Sequence, residues 1–293
     1  MTMRLPKKVS YLLNVLPKFI TGRGRACPSC GCTVSTLVER KYWVTALRRC
    51  SRCLLLFRVP TTSPEENESF YQSEYSQGFT TSLPTANELE LLKQSYFQGS
   101  EKDYSKYLRV LAALGAKPGD AVLDFGCSWG YGSWQLQQAG YRVTAYEISV
   151  PRCTYARQEL GIDAYSRLDE LSGPFDVFFS SHVLEHVPSV SQCIQFAIQS
   201  LKPGGWLVTF TPNGSDSFRR MDFRAWKYIW GQVHPNVLDD VFYKNVFRDY
   251  SFLLSSGVDD EQEIRDWALG LSRDQMVLDL TGNELLLVVR MKS

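Results

Sequence analysis

Apolar runs of strand length alternate with amphipathic helical segments through the second half of the chain. The strand-like runs lie at 122–125, 141–146, 162–165, 175–180 and 206–210. Because strands that alternate with helices pair in parallel, this order predicts a parallel sheet with helices on both faces. A helix at 194–201 is predicted to stop at 202–205, whose two glycines suit a C-cap. Runs at 275–280 and 284–291, joined by a turn at 281–283, predict an antiparallel strand pair that finishes the sheet.

Helical periodicity also precedes the sheet. The segment from Thr85 to Leu114 predicts two helices, broken near Gly99, that cover the open end of the sheet. We expect Tyr71 and Tyr75, just before these helices, to contact the substrate. After the fifth strand, an aromatic and basic insertion at 215–250 predicts either a flap over an acceptor or a helical pair packed on the sheet.

Composition limits the function classes. The 293 residues, 44% of them apolar, are enough for one large domain and a small one. The 32 basic and 31 acidic residues nearly balance, which weighs against a protein that binds nucleic acid through its phosphates. No apolar run is long enough to span a bilayer, so we expect a soluble, cytoplasmic body.

The N-terminal tail, residues 1–26, departs from this neutrality. It carries six basic residues and no acidic one, around an apolar segment at 9–20. A signal peptide is disfavoured because Asn14, Pro17 and Lys18 interrupt that segment. Two hypotheses stay open: a mobile basic tail, and an amphipathic anchor that places the protein peripherally at the inner face of a membrane.

Two Cys-x-x-Cys pairs follow the tail: Cys27 with Cys30, and Cys50 with Cys53. This spacing predicts a tetrahedral zinc site on a ribbon of short strands, residues 27–60, although disulfides are the alternative and Cys32 could replace Cys30. Four thiolates leave no open position, so the zinc would be structural. Residues 61–115 are then a helical linker or lid, and residues 116–293 form the sheet domain. Core positions are expected for Cys127, Cys153 and Cys193.

The turn after the first strand of the sheet carries the candidate chemistry. The run Asp124-x-Gly126-x-x-x-Gly130 joins a buried strand to a helix, and Glu147 ends the next strand. An acid at that point is placed to accept hydrogen bonds from ribose hydroxyls. The glycine spacing differs from G-x-G-x-x-G, which weakens a pyrophosphate-binding interpretation. The pattern therefore predicts a nucleoside-binding β-α-β unit.

These motifs, together with Phe-Asp-Val, Val-Leu-Glu-His-Val and Leu-Lys-Pro-Gly-Gly, resemble class I S-adenosylmethionine-dependent methyltransferases over residues 117–213. The family often has glycine where this chain has Ser128. The resemblance implies a Rossmann-like sheet of seven strands, mostly parallel, with the last strand antiparallel. It also implies S-adenosylmethionine as cofactor. The residues that would hold it are Asp124, Gly126, Cys127, Ser128, Gly130, Glu147, Ile148, Ser181 and His182.

The front of the chain sharpens the resemblance. A ribbon followed by Leu55-Leu56-Phe57-x-x-Pro60 and Phe70-Tyr71-x-x-x-Tyr75 resembles bacterial methyltransferases of polysaccharide and antibiotic-sugar biosynthesis. This resemblance implies methylation of a sugar, either in a nucleotide-linked small molecule or as part of a polysaccharide or lipid-linked glycan. We expect oxygen as the acceptor atom, and carbon or nitrogen of a deoxysugar is the alternative. The residues expected to contact that substrate are Asn213, His234, Tyr71 and Tyr75.

A Glu-His pair is the candidate for proton removal. In related sugar methyltransferases such a pair removes the acceptor's proton, which implies this role for Glu185 and His186. The alternative is that the Leu-Glu-His run only packs against the methionine part of the cofactor. His182, four residues before His186, could form a metal-binding pair with it, but the sequence offers no third ligand.

Two other functions stay open. Some RNA methyltransferases also carry an N-terminal zinc module, which could contact nucleic acid. The neutral charge and the lack of an Asn/Asp-Pro-Pro-Tyr-type motif after the fourth strand weigh against that function. A non-catalytic interaction module that keeps the fold is the third hypothesis, and the intact Asp124, Gly126, Gly130 and Glu147 set weighs against it.

Overall fold

The computed structural model describes residues 15–41, 43–63, 66, 82–231, 233–257 and 260–292. Tyr71, Tyr75 and residues 1–14 of the basic tail lie outside this part of the chain, while residues 15–21 are helical. Within the described residues, no helix combines the length and apolar character needed to cross a bilayer.

Twelve strands form two sheets in the described chain. The smaller sheet has the order β1-β2-β3-β9 and is antiparallel throughout. Its strands are β1 (Ser35–Lys41), β2 (Thr45–Cys50), β3 (Leu56–Val59) and β9 (Asn236–Val237). The first three belong to the cysteine ribbon, whereas β9 comes from the predicted insertion. The insertion therefore completes the ribbon's sheet.

The larger sheet has eight strands in the order β11-β10-β12-β8-β7-β4-β5-β6. They are β4 (Ala121–Phe125), β5 (Arg142–Tyr146), β6 (Asp163–Tyr165), β7 (Phe175–Ser181), β8 (Leu201–Pro212), β10 (Ser251–Ser255), β11 (Gln275–Val277) and β12 (Glu284–Arg290). All neighbours pair in parallel except β12, which is antiparallel to both β8 and β10. The predicted α/β class, with a mostly parallel sheet and an antiparallel last strand, is confirmed.

The helices connect and cover these strands. They are α1 (Ala86–Gln94), α2 (Ser105–Ala113), α3 (Tyr131–Gln138), α4 (Val150–Leu160), α5 (Val190–Ser200), α6 (Asp216–Met221), α7 (Phe223–Tyr228), α8 (Asp240–Val246) and α9 (Glu261–Ala268). The two helices predicted before the sheet are present as α1 and α2. Thr85 begins α1 with a capping box, in which its hydroxyl accepts from the Glu88 N–H and the Glu88 carboxylate accepts from the Thr85 N–H.

The prediction of a terminal antiparallel pair is wrong. Strand β11 does not pair with β12; β10 lies between them and pairs with both. The physical reason is burial: five of the seven residues of β12 are buried, so this strand needs a neighbour on each side. The partly exposed β11 instead forms the edge of the sheet, which thereby has eight strands rather than seven.

The predicted C-cap at 202–205 is also wrong. Helix α5 ends at Ser200, and its C-cap Leu201 is already extended. Gly204 has a φ of +74°, and the pairing of β8 with β7 changes register between Phe175 and Val177. The glycine run therefore lies within β8, at an irregularity of the strand.

The ribbon and the sheet domain share a core. A buried cluster on one side of the small sheet contains Leu47, Leu56, Phe218, Trp226, Trp230 and Val237, so α6, α7 and β9 pack on the ribbon. In addition, Arg49 donates from Nη2 to the Asp239 carboxylate at 2.5 Å, and that carboxylate also accepts from the Phe242 N–H at the start of α8. The ribbon is thus fixed against the loops that follow β8.

Candidate active site

The turn after β4 places three residues in the left-handed region. The φ angle is +88° at Gly126, +54° at Ser128 and +91° at Gly130. A Cβ atom on Gly126 would lie 2.3 Å from Cγ2 of Val183, and one on Gly130 would lie 2.9 Å from Cβ of Ala156. Both positions therefore require glycine, for conformation and for space. Ser128 adopts a conformation that glycine reaches at lower cost.

Glu147 follows β5 and faces this turn. Its carboxylate accepts hydrogen bonds from the N–H of Ser128, at 3.0 Å, and of Ser149, at 2.9 Å. Only 5% of the residue is exposed. Burial raises the pKa of Glu147 to about 7, although the two hydrogen bonds and the nearby Arg152 lower it.

Asp124 and Cys127 stabilise the turn through hydrogen bonds to neighbouring elements. The Asp124 carboxylate is buried and accepts a 2.6 Å hydrogen bond from Oγ of Ser133. Burial raises the pKa of Asp124 to about 6. The N–H groups of Gly126 and Cys127 both donate to the Tyr146 carbonyl, which holds the turn against the end of β5.

A cavity of about 360 Å³ opens where β4, β5 and β7 end. Its lining comprises Phe125, Gly126, Ser128, Tyr131, Tyr146, Glu147, Ile148, Leu168, Ser181, His182, Val183, His186, Val187, Pro188, Ser189, Gln192, Cys193 and Phe196. Most of this lining is apolar, and Glu147 supplies a buried acid. An apolar wall with a few polar groups is typical of a nucleoside or cofactor site. We call this the first cavity.

A second cavity, of about 520 Å³, adjoins the first. Its lining comprises Ser100, Glu101, Asp103, Tyr104, Lys106, Tyr107, Tyr131, Ser181, His182, Glu185, His186 and His234. Tyr131, Ser181, His182 and His186 line both cavities. A molecule in either cavity can therefore reach the same four side chains.

A network of side-chain hydrogen bonds includes Ser181 and His182, which line both cavities. Ser181 donates to the Tyr107 hydroxyl at 2.9 Å, and Tyr107 donates to Oε1 of Glu284 at 3.2 Å. The same oxygen lies 2.8 Å from Nε2 of His182, while Lys106 donates to the other oxygen at 2.7 Å. Burial of the His182 ring disfavours its protonated form and lowers its pKa. The carboxylates of Glu185 and Glu284 stabilise the protonated form by more, so the net effect is a raised pKa.

Glu185, His186 and His234 form a cluster beside this network. One ligand atom from each lies within 4.8 Å of the others. Nε2 of His186 is 3.8 Å from Oε1 of Glu185, and the centres of the two imidazole rings are 4.6 Å apart. Burial lowers the pKa of His186 to about 4, although the Glu185 carboxylate raises it, so this ring is neutral near pH 7.

The ribbon cysteines form a second cluster, distant in sequence from the first. The Sγ atoms of Cys27, Cys30, Cys50 and Cys53 lie within 4.8 Å of one another, and the Cys27–Cys53 and Cys30–Cys50 pairs are each 3.5 Å apart. A tetrahedral zinc site with bonds of about 2.3 Å places its sulfurs about 3.8 Å apart. The four thiols therefore fit zinc. Cys32 does not belong to this cluster, and its Sγ lies against the Val34 carbonyl and the Ser51 hydroxyl.

Comparison with known proteins agrees with this geometry. The sequence pattern described as a methyltransferase domain matches residues 99–254, just over half of the chain. The chain belongs to this family. The predicted methyltransferase family is thus confirmed, and the two cavities lie within or beside the matched residues.

Curated relatives of this methyltransferase domain share its central part. A malonyl-[acyl-carrier protein] O-methyltransferase of Pectobacterium atrosepticum is 29% identical over 133 residues, which cover 44% of this chain and 52% of that protein. A ubiquinone biosynthesis O-methyltransferase of Caulobacter vibrioides is 32% identical over 150 residues, which cover 47% and 59%. The chain therefore spans about half the length of the curated relatives it matches.

Solved structures show the same fold at low sequence identity. The plantazolicin methyltransferase BamL, in complex with a triazolic desmethylPZN analog and SAH, superposes with a TM-score of 0.51 at 12% identity. The match covers 78% of this chain and 97% of BamL. BpumL, a second plantazolicin methyltransferase in complex with SAH, gives 0.50 at 14% identity, covering 78% and 96%.

The methyltransferase domain brings many of the predicted site residues together. Gly126, Ser128, Glu147, Ile148, Ser181 and His182 line the first cavity; His186 lines both cavities, and Glu185 and His234 line the second. Asp124, Cys127 and Gly130 do not line either cavity, and they instead shape the turn. The expectation that Cys32 could replace Cys30 is not supported, because the four-thiol cluster contains Cys30.

Asn213, predicted to bind substrate, has a different place. Its side-chain nitrogen donates to the carbonyls of Leu280 and Gly282, and its Oδ1 accepts from the Ser215 N–H. It is fully buried and lines neither cavity. The amide therefore ties the end of β8 to the loop before β12, and the predicted substrate contact is corrected.

Sequence reasoning missed Tyr107 and Glu284. In the sequence, Tyr107 looks like an ordinary core residue of α2, because it is spaced three and four residues from the apolar Val110 and Leu111. Glu284 is the first residue of β12, and only its position directly after a turn sets it apart from a surface acid. Their pairing with Ser181 and His182 depends on contacts between distant parts of the chain.

Proposed function

We propose that this protein transfers a methyl group from S-adenosylmethionine to a hydroxyl group of a sugar, either nucleotide-linked or part of a glycan. The observation that carries this proposal is the wall that the two cavities share at Ser181, His182 and His186. A methyl donor beside Glu147 and an acceptor in the second cavity would meet at that wall. Alignment of the two reactants is the main requirement of the reaction.

The first cavity has the groups that a nucleoside needs. The ionised carboxylate of Glu147 accepts hydrogen bonds from ribose hydroxyls. The turn at Gly126 and Ser128 lets a ligand approach the backbone closely, and Ile148 and Leu168 add apolar surface. When bound, S-adenosylmethionine supplies an electrophilic methyl group on a sulfonium.

The second cavity supports a polyhydroxylated acceptor. Tyr104, Tyr107 and Tyr131 provide aromatic surface that can stack on a sugar ring, while Asp103 and Lys106 provide polar groups for its hydroxyls. The two curated relatives described above are O-methyltransferases by name, which supports oxygen as the acceptor atom. The polar and aromatic lining supports the choice of a sugar.

The reaction must also remove a proton. Transfer forms the O–CH₃ bond as the S–CH₃ bond breaks, and the acceptor hydroxyl loses its proton. His186 can take this proton because its ring is neutral, and the Glu185 carboxylate at 3.8 Å would stabilise the imidazolium. A pKa near 4 nevertheless makes His186 a weak base at neutral pH, so the proton transfer needs assistance.

Zinc at the four ribbon cysteines has a structural role in this proposal. The metal would hold β2 and the turn that leads into β3, and β3 pairs with β9. The insertion residues that precede β9, including His234, then have a fixed position at the second cavity.

Calorimetry with S-adenosylmethionine, followed by mass spectrometry of a panel of nucleotide sugars and glycans, tests the proposal. We expect binding to the wild type, no binding to Glu147→Ala, unchanged binding to the exposed control Glu90→Ala, and a mass gain of one methyl on one acceptor. A wild type without heat of binding would contradict the methyltransferase function. Binding without any methyl gain across the panel would contradict the sugar acceptor.

A further inference from the structure

The Glu185–His186–His234 cluster has the composition and spacing of a metal site. Two imidazoles and one carboxylate converge with ligand atoms within 4.8 Å of one another. Two histidines and one carboxylate are a recurring ligand set for divalent transition metals. His234 comes from the insertion, and no motif in the sequence indicates that it completes a set with Glu185 and His186.

Backbone carbonyls orient both rings. Nδ1 of His186 lies 2.8 Å from the Val233 carbonyl, and Nδ1 of His234 lies 2.6 Å from the Ile229 carbonyl. A carbonyl only accepts, so each Nδ1 carries the proton and each Nε2 carries the lone pair. This arrangement is usual for histidines that bind metal through Nε2.

The loop that carries Glu185 and His186 is also held in place. Asn236 donates its N–H to the Glu185 carbonyl at 3.2 Å and its side-chain nitrogen to the Val187 carbonyl at 2.8 Å. Asn236 itself begins β9, two residues after His234. One short segment thus positions all three side chains.

The Glu185 carboxylate is buried and has unused hydrogen-bonding capacity. It is 2% exposed, and neither of its oxygens accepts a hydrogen bond from the described residues. The nearest cationic group is the imidazole of His182, whose Nδ1 lies 3.5 Å from Oε1 of Glu185 and whose Nε2 pairs with Glu284. A buried carboxylate with two unsatisfied oxygens is costly unless a ligand or ion completes it.

We propose that Glu185, His186 and His234 bind a divalent transition-metal cation, such as Mn²⁺, that holds the acceptor of the methyl group. The proposal rests on the proposed methyltransferase function, and it specifies how the same site handles the acceptor's proton. Three protein ligands leave open positions toward the second cavity, as in catalytic metal sites. His186 then acts as a ligand and not as the base.

The cation determines the class of acceptor. An acceptor hydroxyl on the metal loses its proton to water more readily, because the metal stabilises the resulting oxygen anion. That oxygen forms the O–CH₃ bond as the S–CH₃ bond breaks. A second open position favours an acceptor with two oxygens on neighbouring carbons, such as the vicinal diol of a sugar ring.

Titration of the full chain with Mn²⁺ tests the proposal. The electron paramagnetic resonance signal of the free ion reports how much Mn²⁺ stays unbound. Mn²⁺ prefers oxygen and nitrogen ligands, so the four thiols of the ribbon do not compete. We expect one bound ion per wild-type chain, and an affinity lower by about tenfold or more in Glu185→Gln and in His234→Ala. His182→Gln is the matched control, since it removes the neighbouring histidine and keeps all three ligands.

Thermal unfolding gives an independent readout. Glu185→Gln keeps the shape of the side chain but loses the attraction between the carboxylate and His182, so we expect the metal-free variant to fold, with a melting temperature at or below that of the metal-free wild type. Mn²⁺ should raise the melting temperature of the wild type and of His182→Gln, and leave that of Glu185→Gln unchanged.

Two outcomes would overturn the metal site. One is a wild type that leaves the Mn²⁺ signal unchanged, and the other is equal binding by the wild type, Glu185→Gln and His234→Ala. If S-adenosylmethionine still bound in calorimetry, the metal proposal alone would fail and His186 would remain the candidate base. Mn²⁺ binding without S-adenosylmethionine binding would instead contradict the methyltransferase function.

Discussion

The backbone N–H of Ser128 donates a 3.0 Å hydrogen bond to the carboxylate of Glu147. This bond joins the turn after β4 to the acid after β5, the two features of the proposed nucleoside site. The backbone of Ser128 adopts a left-handed conformation, with a φ of +54°. The bond therefore holds the loop and the acid in one geometry, at the expense of strain in the backbone of Ser128.

Ser128→Gly should not destabilise the protein. Glycine relieves the left-handed strain, which is worth about 1 kcal/mol, and its extra entropy in the unfolded chain offsets part of that gain. The Ser128 hydroxyl is buried without a hydrogen-bond partner in the described chain, so its loss costs little. Urea unfolding should place the midpoint of Ser128→Gly at or above that of the wild type. Ser128→Ala, which keeps the strain, is the control, and a midpoint for glycine below that of alanine would contradict the argument.

Gly126→Ala should lose both stability and cofactor binding. The new Cβ would meet Cγ2 of Val183 at 2.3 Å, in addition to the strain of a φ of +88°. Gly119 is the matched control, since its φ is +93° and nothing lies within 4 Å of its Cβ position. We expect Gly119→Ala to cost about 1–2 kcal/mol of unfolding free energy, and Gly126→Ala about 1–3 kcal/mol more.

Val183→Ala provides a rescue for Gly126→Ala. Removing both Cγ atoms of Val183 leaves its Cβ at 3.3 Å from the new methyl group, a distance that a small shift can accommodate. In the Val183→Ala background, the cost of Gly126→Ala should fall to that of Gly119→Ala. A double-mutant cycle that gives no coupling between the two positions would show that the clash is not the cause.

The affinity for S-adenosylmethionine should decrease as the pH is lowered from about 7. Burial raises the pKa of Glu147 to about 7, whereas hydrogen bonding to ribose hydroxyls requires the ionised carboxylate. Below that pH, binding must release a proton, so the affinity should fall about tenfold per pH unit and level off above pH 7. Calorimetry between about pH 5.5 and 8.5 measures this slope.

Glu147→Gln is the control for this pH dependence. It cannot ionise, so its weaker binding should be independent of pH around 7. Asp124, whose pKa is raised to about 6, adds a dependence only at lower pH and remains in both proteins. A slope around pH 7 that persists in Glu147→Gln would exclude Glu147 as its source.

Local chemistry explains why much of this site could be predicted. Gly126, Gly130 and Glu147 follow directly from strand ends and turn geometry, which are fixed by residues close in sequence. The apolar periodicity that gave α1, α2 and the central strands is equally local. In each case the information lies within one element and the next.

His234 and β10 show where such reasoning stops. His234 reaches His186 because β9 joins the ribbon's sheet and Asn236 binds the loop at Val187. No periodicity in the insertion indicates that partner. Strand β10 separates β11 from β12 for a similar reason: a turn between two apolar runs predicts a hairpin, unless a third strand competes for the same edge.

A comparison of Cys30→Ser with Cys32→Ser should show which of these two neighbouring thiols binds zinc. Both thiols lie in the same turn, but only Cys30 belongs to the four-sulfur cluster. We expect metal analysis to find about one zinc per chain in the wild type and in Cys32→Ser, and a large loss of zinc in Cys30→Ser. Because β3 pairs with β9, Cys30→Ser should also expose the amides of β9 to hydrogen exchange. Retention of zinc by Cys30→Ser together with its loss from Cys32→Ser would reverse the ligand assignment, and equal retention by both would contradict a four-cysteine site.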